Sequence, residues 1–245
     1  MEPGAEPPVL AAHDLRKRFG ALTVLDGVSV AVAEGEAVGI VGPNGAGKTT
    51  LLSVLAGSVR PERGRVRFRG ADVTGAGPAA RCRLGIGRTH QVPRPFLGMT
   101  VFENVLVGAT AGGGRRRSEA YDRCLQVLAD CRLGPLANRP AESLGLLDRK
   151  RLELARALAT EPAVLLLDEI GAGLTDAESA DLVATIAGLV GRRIGIVWIE
   201  HIVHVLVQVV GRLVCMNAGR VIADGPPEAV VSHTDVVDAY LGSRR

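Results

Sequence analysis

A glycine-rich segment around residue 45 has the composition and spacing of a phosphate-binding loop. It matches the pattern Gly-x-x-x-x-Gly-Lys-[Ser/Thr], and its residues are Gly42, Pro43, Asn44, Gly45, Ala46, Gly47, Lys48 and Thr49. Glycines let several backbone N–H groups point at one anion, and a helix N-terminus adds partial positive charge. Lys48 is expected to reach the β- and γ-phosphates, and the Thr49 hydroxyl is expected to help hold Mg²⁺. The segment predicts a site for a nucleoside triphosphate, to which the adjacent Thr50 would contribute.

Two adjacent carboxylates, Asp168 and Glu169, follow the aliphatic run Val164–Leu167. The run predicts a buried parallel strand, and ligands of open α/β sheets gather at the carboxyl ends of such strands. Asp168 suits the coordination sphere of Mg²⁺, and Glu169 suits the polarisation of an attacking water. The alternative is a strand that merely ends in surface acids. We favour the catalytic interpretation because a complete phosphate loop lies 120 residues earlier (168 minus 48).

A further polar pair, Glu200 and His201, follows the predicted strand Ile194–Ile199. A histidine at this place can sense a γ-phosphate. His201 also lies three residues before His204 on a predicted helix face, which permits a metal pair, but no third ligand stands out. Upstream of the loop, Phe19 is either a core aromatic or a side chain that stacks on an adenine ring. Taken alone, it is assigned to the core.

Strands and helices must hold these residues in place. The stretch Ala37–Val41 predicts a buried strand before the phosphate loop, and Thr50–Ala56 predicts a helix after it. Strand, loop and helix in this order are typical of a phosphate site. Two segments, Val9–Phe19 and Leu22–Val32, begin a first sheet, and Gly64–Gly70 is predicted as a half-exposed edge strand. The fold class is therefore α/β.

Two helices are predicted between the sites. Thr100 and Glu103 have the spacing of a capping box at a helix start. The segment Ser118–Cys131 is amphipathic, and its apolar side is predicted to contain Tyr121, Leu125 and Leu128.

Composition limits the class of protein. The 245 residues suffice for one large α/β domain, and a hydrophobic content of 47% supports a substantial core. No apolar run approaches the roughly 20 residues that span a bilayer, and residues 1–8 lack an export pattern and are predicted to be disordered. A net charge of +3 is too weak to indicate nucleic acid, so no nucleic-acid partner is expected. The four cysteines form no CxxC pair and are expected to be buried free thiols.

The order of these motifs resembles the ATP-binding cassette subunit of ABC transporters, from about Val9 to the end of the chain. The resemblance implies a P-loop NTPase core with a parallel sheet, an antiparallel β subdomain and a helical signature subdomain at about 92–160, all within one domain at 9–245. It implies ATP and Mg²⁺ as ligands. The implied contacts are adenine with Phe19, Mg²⁺ with Thr49, Gln91 and Asp168, the attacking water with Glu169, and the γ-phosphate with His201.

Several segments resemble the ATPases of branched-chain amino-acid importers, namely Gly85–Gln91, Met99–Val105, Ile199–His201 and Ala239–Gly242. This resemblance implies ATP hydrolysis coupled to the uptake of branched-chain or other hydrophobic amino acids. It also implies transmembrane permease subunits and a second ABC ATPase subunit, identical or related, as partners. A periplasmic or extracellular binding protein would take part indirectly. The implied location is cytoplasmic and peripheral, on the inner face of the cell membrane.

The signature segment departs from the family pattern. Aligned on the helix that follows, the usual Leu-Ser-Gly-Gly-Gln falls on Leu144–Asp148, where glycine replaces serine and leucines replace both glycines. A second alignment keeps Ser143 and Gly145 in signature places but needs two extra residues before the helix. Ile170 also replaces a proline, and Thr175 an aspartate or asparagine. These departures predict pairing with a second cassette that has a regular signature, and they do not bear on nucleotide binding.

Two other functions share the core motifs. A soluble ABC ATPase of translation or DNA repair usually carries two cassettes or a long coiled coil, and this sequence has neither feature. A regulatory nucleotide binder that closes but barely hydrolyses is favoured by the altered signature, whereas Glu169 and His201 argue against it.

Overall fold

The computed structural model describes residues 7–114, 116–200 and 203–242. The predicted disorder of residues 1–8 lies outside this part of the chain, apart from the exposed Pro7 and Pro8. The strands of the described part are β1 (Leu10–Phe19), β2 (Leu22–Val32), β3 (Ala37–Val41), β4 (Arg63–Phe68), β5 (Ala71–Asp72), β6 (Ile86–Arg88), β7 (Val164–Asp168), β8 (Gly195–Ile199), β9 (Arg212–Asn217) and β10 (Arg220–Gly225).

The helices follow the strands in an α/β order that confirms the predicted fold class. They are α1 (Lys48–Leu55), α2 (Pro78–Leu84), α3 (Val101–Val107), α4 (Arg117–Asp130), α5 (Leu146–Ala159), α6 (Asp176–Ala187), α7 (Val203–Leu206), α8 (Pro227–Val231) and α9 (Thr234–Gly242). In the ranges that the structure describes, no helix has the length and apolar character needed to cross a membrane.

The strands form two sheets. One is antiparallel with the order β2-β1-β4-β5, and the other has the order β10-β9-β3-β8-β7-β6. In the second sheet β3, β6, β7, β8 and β9 run parallel, and only β10 joins in antiparallel fashion. The strand before the phosphate loop, β3, is therefore central, and β8 separates it from β7, which carries the two carboxylates.

Apolar side chains cover both faces of the six-stranded sheet. All five residues of β7 are buried. Val164 and Leu166 contribute to one hydrophobic cluster, whereas Leu165 and Leu167 contribute to the other. A strand that is buried on both faces reads as a continuous apolar run rather than an alternation. This explains why the sequence of β7 reveals a strand so clearly.

The predicted edge strand is misplaced. The segment forms β4, which pairs with β1 on one side and with the short β5 on the other. Its alternation of exposed arginines with Val66 and Phe68 reflects one solvated face, not a free edge. Antiparallel sheets commonly bury one face only, so alternation does not distinguish an inner strand from an edge.

The helical predictions are confirmed in part. Thr100 and Glu103 form the predicted capping box at the start of α3. In α4, however, Tyr121 and Leu125 are exposed by 41% and 60%. The buried side of α4 consists mostly of small side chains; the buried residues of the helix and its C-cap are Ala120, Cys124, Val127, Leu128 and Cys131. The predicted apolar side is therefore wrong except for Leu128, because alanine and cysteine contribute to this core as much as larger residues do.

The cysteines are free thiols, as predicted. Cys124, Cys131 and Cys215 are buried, and Cys82 is half-buried. Burial raises the pKa of Cys124 and of Cys215 to about 11 and that of Cys131 to about 12.

Candidate active site

The phosphate loop leaves β3 at Val41 and enters α1 at Lys48. Two of its glycines occupy positions that exclude any other residue. Gly42 has a φ of +143°, and a Cβ there would lie 2.0 Å from Met216 O. Gly47 has a φ of +99°, and a Cβ there would lie 2.5 Å from Val24 O. The close approach of β2 and β9 thus explains why this loop contains glycine where it does.

The side chain of Lys48 contacts the backbone of the phosphate loop. Its ammonium group donates to Gly42 O at 2.6 Å and to Pro43 O at 3.1 Å, and the residue is only 5% exposed. Burial lowers the pKa of Lys48, and the negative charge of Glu169 opposes this shift. The ammonium group therefore lies at the phosphate loop, where a bound anion would replace the two carbonyl groups as its hydrogen-bond acceptor.

An open cleft of about 270 Å³ lies along the loop. Its walls are the residues Asn44–Thr50, together with Leu22 and Val24 from β2 and Glu169 from the end of β7. The structure therefore brings the predicted loop and the predicted Glu169 to one cavity. Leu22 and Val24 were not predicted as site residues; the apolar Leu22, which begins β2 directly after the turn at Gly20 and Ala21, is the sequence signal that could have revealed them.

Phe19 lies next to this cleft. It pairs with Leu22 across the hairpin of β1 and β2, and its side chain is half-exposed. The ammonium group of Lys17 lies 5.2 Å from the centre of the Phe19 ring. The structure thus excludes Phe19 from the core and leaves adenine stacking as the remaining sequence-based interpretation.

Asp168 ends β7 and is buried. Arg88 Nη2 contacts Asp168 Oδ2 at 2.9 Å. Burial raises the pKa of Asp168, and the Arg88 guanidinium opposes that shift. Asp168 Oδ1 is also buried and has no hydrogen-bond partner among the described residues. A buried carboxylate oxygen without a donor is a hard ligand of the kind that Mg²⁺ prefers.

The remaining donors also fit Mg²⁺. The structure describes no cluster of three or more His, Cys, Asp and Glu side chains that would hold a metal alone. Mg²⁺ needs no such cluster, because substrate phosphates and water complete its shell around one or two carboxylates. Of the other predicted ligands, Thr49 is exposed at the start of α1 and lines the cleft, and Gln91 lies beside Glu169.

Glu169 follows Asp168 with an unusual backbone. Its φ is +45°, its N–H donates to Ile199 O at 2.9 Å, and its side chain is largely buried at the cleft wall. Gln91 Nε2 donates to Glu169 Oε2. The structure therefore joins two residues that the sequence separates by 78 positions. His201 lies outside the described residues, so its predicted role stays a prediction.

Three charged residues near the site were not predicted as site residues: Lys150 and Glu200 are buried, and Arg88 is half-buried. Arg88 binds Asp168; Lys150 on α5 donates to Gln91 O at 3.4 Å; and Glu200 accepts from Gly171 N–H at 2.7 Å and from Trp198 Nε1–H at 3.3 Å. Burial lowers the pKa of Lys150 and raises that of Glu200. The available signal was a charged residue inside or directly after an apolar segment, since such residues are rarely buried without a partner.

The start of α5 fits the alignment of the signature without extra residues. The helix begins at Leu146, and Gly145 is its N-cap without a side-chain hydrogen bond. Ser143 belongs to the preceding 3₁₀ turn, where its hydroxyl donates to Pro140 O at 2.8 Å. The helix therefore starts with the two leucines, as in the alignment without extra residues.

A family model described as "ABC transporter" matches residues 25–172, which is more than half of the chain. The chain belongs to the ABC transporter ATPase family. A second model, described as "Branched-chain amino acid ATP-binding cassette transporter", matches residues 220–245 of this ABC ATPase. That range contains β10, α8 and α9.

Relatives and solved structures of ABC ATPases resemble the chain over almost its whole length. It is 36% identical to the high-affinity branched-chain amino acid transport ATP-binding protein BraF of Pseudomonas aeruginosa, covering 96% of this chain and 98% of BraF. It is equally similar to LivG of Escherichia coli, described in the same words, with the same coverage. The crystal structure of the ADP conformation of MJ1267, an ATP-binding cassette of an ABC transporter, has a TM-score of 0.89 at 32% identity, over 97% of this chain and 100% of that one.

Proposed function

We propose that this ABC ATPase uses MgATP hydrolysis to drive the uptake of branched-chain or other hydrophobic amino acids through a membrane permease. The observation that carries the hydrolytic part is the single cleft that joins the phosphate loop, Lys48 and Glu169. The cargo is supported by the names of the relatives, since BraF and LivG are both described as branched-chain amino acid transport proteins.

Each site residue receives a role from its position. The loop N–H groups and Lys48 bind the phosphates, and Thr49, Gln91 and Asp168 are the proposed ligands of Mg²⁺. When bound, Mg²⁺ would neutralise charge on the β- and γ-phosphates. Glu169 lies across the cleft from the loop and orients the attacking water, while Gln91 fixes the Glu169 carboxylate by its hydrogen bond. His201 is proposed to contact the γ-phosphate, and Phe19 to stack on adenine.

The proposed permease contact follows Gln91 directly. Exposed apolar side chains cluster there and belong to Val92, Phe96, Leu97 and Met99. Asn104 holds this segment, because its side chain accepts from Phe96 N–H at 2.8 Å and donates to Phe96 O at 3.0 Å. Contiguous exposed apolar patches mark partner surfaces. We therefore place the permease on this segment, within the helical subdomain proposed at 92–160, and the cassette on the inner face of the membrane.

A second cassette would complete the composite ATP site. Leu146 and Leu147 occupy the first turn of α5, and their side chains would crowd a phosphate that approaches this helix end. Asp148 adds negative charge there. The proposal is therefore a heterodimer with a cassette of regular signature, in which the site on this chain's phosphate loop hydrolyses fast.

The purified chain should show weak ATPase activity that rises when the partner cassette is added. Robust hydrolysis by a homodimer, undiminished by Ser143→Ala, would contradict the heterodimer.

The altered signature also favours a second candidate function, a regulatory nucleotide binder with little turnover. Copurification separates the two. A transporter ATPase should be recovered with membrane subunits in mild detergent, and those subunits should stimulate hydrolysis. A regulatory binder should be recovered without them and should stay inactive when the partner cassette is present.

A further inference from the structure

Glu169 has a backbone conformation that needs support from its surroundings. Its φ of +45° lies in the left-handed region, which residues other than glycine disfavour. Such conformations persist where neighbouring contacts over-determine them, and they cluster at functional sites. Here the turn places the Glu169 side chain on the wall of the nucleotide cleft.

The end of β8 contacts this turn at two residues, Glu169 and Gly171. Glu169 N–H donates to Ile199 O at 2.9 Å, and two residues later Gly171 N–H donates to Glu200 Oε1 at 2.7 Å. Trp198 Nε1–H donates to the same Glu200 oxygen at 3.3 Å. Ile199 and Glu200 therefore hold the turn that starts at Glu169, and Trp198 supports the Glu200 carboxylate.

Glu200 is buried in a way that core packing does not explain. It is 4% exposed, and burial raises its pKa, while the two N–H donors and Lys150 oppose that shift. A carboxylate in the interior is costly unless donors surround it. Gly171 permits the contact, because a Cβ at this position would lie 3.1 Å from Glu200 Oε1.

We propose that Glu200 is a positioning residue for hydrolysis. Its carboxylate holds Gly171 N–H and so fixes the turn that directs Glu169 into the cleft. The inference rests on the proposed role of Glu169, and Glu200 acts on the reaction only through the turn that begins at Glu169.

Two substitutions at Glu200 separate the effect of side-chain length from the effect of charge. Glu200→Gln keeps an oxygen at the same distance from Gly171 and removes the charge, whereas Glu200→Asp keeps the charge and withdraws the carboxylate by one methylene. We expect Glu200→Asp to lower kcat by about tenfold or more, since a misplacement of about 1 Å can cost a hundredfold. Glu200→Gln should keep at least roughly a third of the parental kcat. Both should bind MgATP within about threefold of the parental affinity in calorimetry, because an interaction that acts only on the chemical step leaves binding unchanged.

Trp198 supplies an independent readout. It is the chain's one tryptophan, so its fluorescence in the nucleotide-free protein should shift in Glu200→Asp and stay parental in Glu200→Gln. Glu36→Ala is a matched control, because Glu36 Oε2 accepts from Ala33 N–H at 2.7 Å near the opposite end of β3. This control should lower the melting temperature and leave kcat unchanged.

A parental kcat in Glu200→Asp would overturn the proposal, and so would equal losses in both Glu200 variants or a parallel loss of MgATP affinity. Glu169→Gln, measured beside them, tests the underlying role. Parental hydrolysis by Glu169→Gln would refute the role of Glu169, whereas an inactive Glu169→Gln with a fully active Glu200→Asp would refute only the role of Glu200.

Discussion

Replacing Lys48 with alanine should abolish tight MgATP binding. The ammonium group lies within hydrogen-bond distance of two loop carbonyl groups and is almost fully buried. A unit charge about 3 Å from a phosphate oxygen gains about 5.5 kcal/mol at an effective dielectric constant of about 20. The two carbonyl contacts that must be given up cost about 1 kcal/mol each. The net loss in Lys48→Ala is therefore about 3.5 kcal/mol, which corresponds to a roughly 300-fold weaker affinity.

Titration calorimetry with MgATP measures this loss directly. Arg65→Ala is the control for net charge, because Arg65 is exposed on the four-stranded sheet and its nearest carboxylate, on Asp72, is 4.0 Å away. This control should bind MgATP with the parental affinity. A Lys48→Ala variant that binds within about threefold of the parent would refute the assignment of Lys48 to the phosphates.

The catalytic carboxylate, the exposed apolar segment after Gln91 and the buried thiols can each be tested separately. Glu169→Gln should bind MgATP and lose most hydrolysis, because it keeps the shape and removes the charge; a parental kcat would show that Glu169 is not the catalytic group. A photocrosslinker at Phe96 should capture a permease subunit, and crosslinks confined to other faces would contradict the proposed surface. Iodoacetamide at pH 8 should label Cys82 and spare Cys215. Burial raises the pKa of Cys215 to about 11, so its reactive thiolate is scarce at pH 8; equal labelling by mass spectrometry would contradict this burial.

Local features of the site were predictable because each depends on a short stretch of sequence. The phosphate loop needs glycines at fixed spacing, and β7 and β8 are continuous apolar runs that end in carboxylates. The capping box at Thr100 depends on residues three positions apart. These elements appear where the sequence places them.

Long-range contacts could not be predicted in the same way. Arg88 reaches Asp168 across 80 positions, and Glu200 reaches Gly171 across 29, because the sheet order brings the ends of separate strands together. No local pattern encodes that order. The misassigned side of α4 has another cause, since periodicity weighted by large side chains overlooks a face built from alanine and cysteine.

Transport in reconstituted vesicles would show whether this ABC ATPase energises amino-acid uptake through a membrane permease. The complex that copurifies with the chain would be placed in liposomes with ATP on the cassette side, and the uptake of radiolabelled leucine would be measured. Energy coupling by this chain predicts ATP-dependent uptake that Lys48→Ala abolishes and Arg65→Ala leaves intact. Uptake that continues unchanged in Lys48→Ala, or a chain recovered without any membrane subunit, would contradict it.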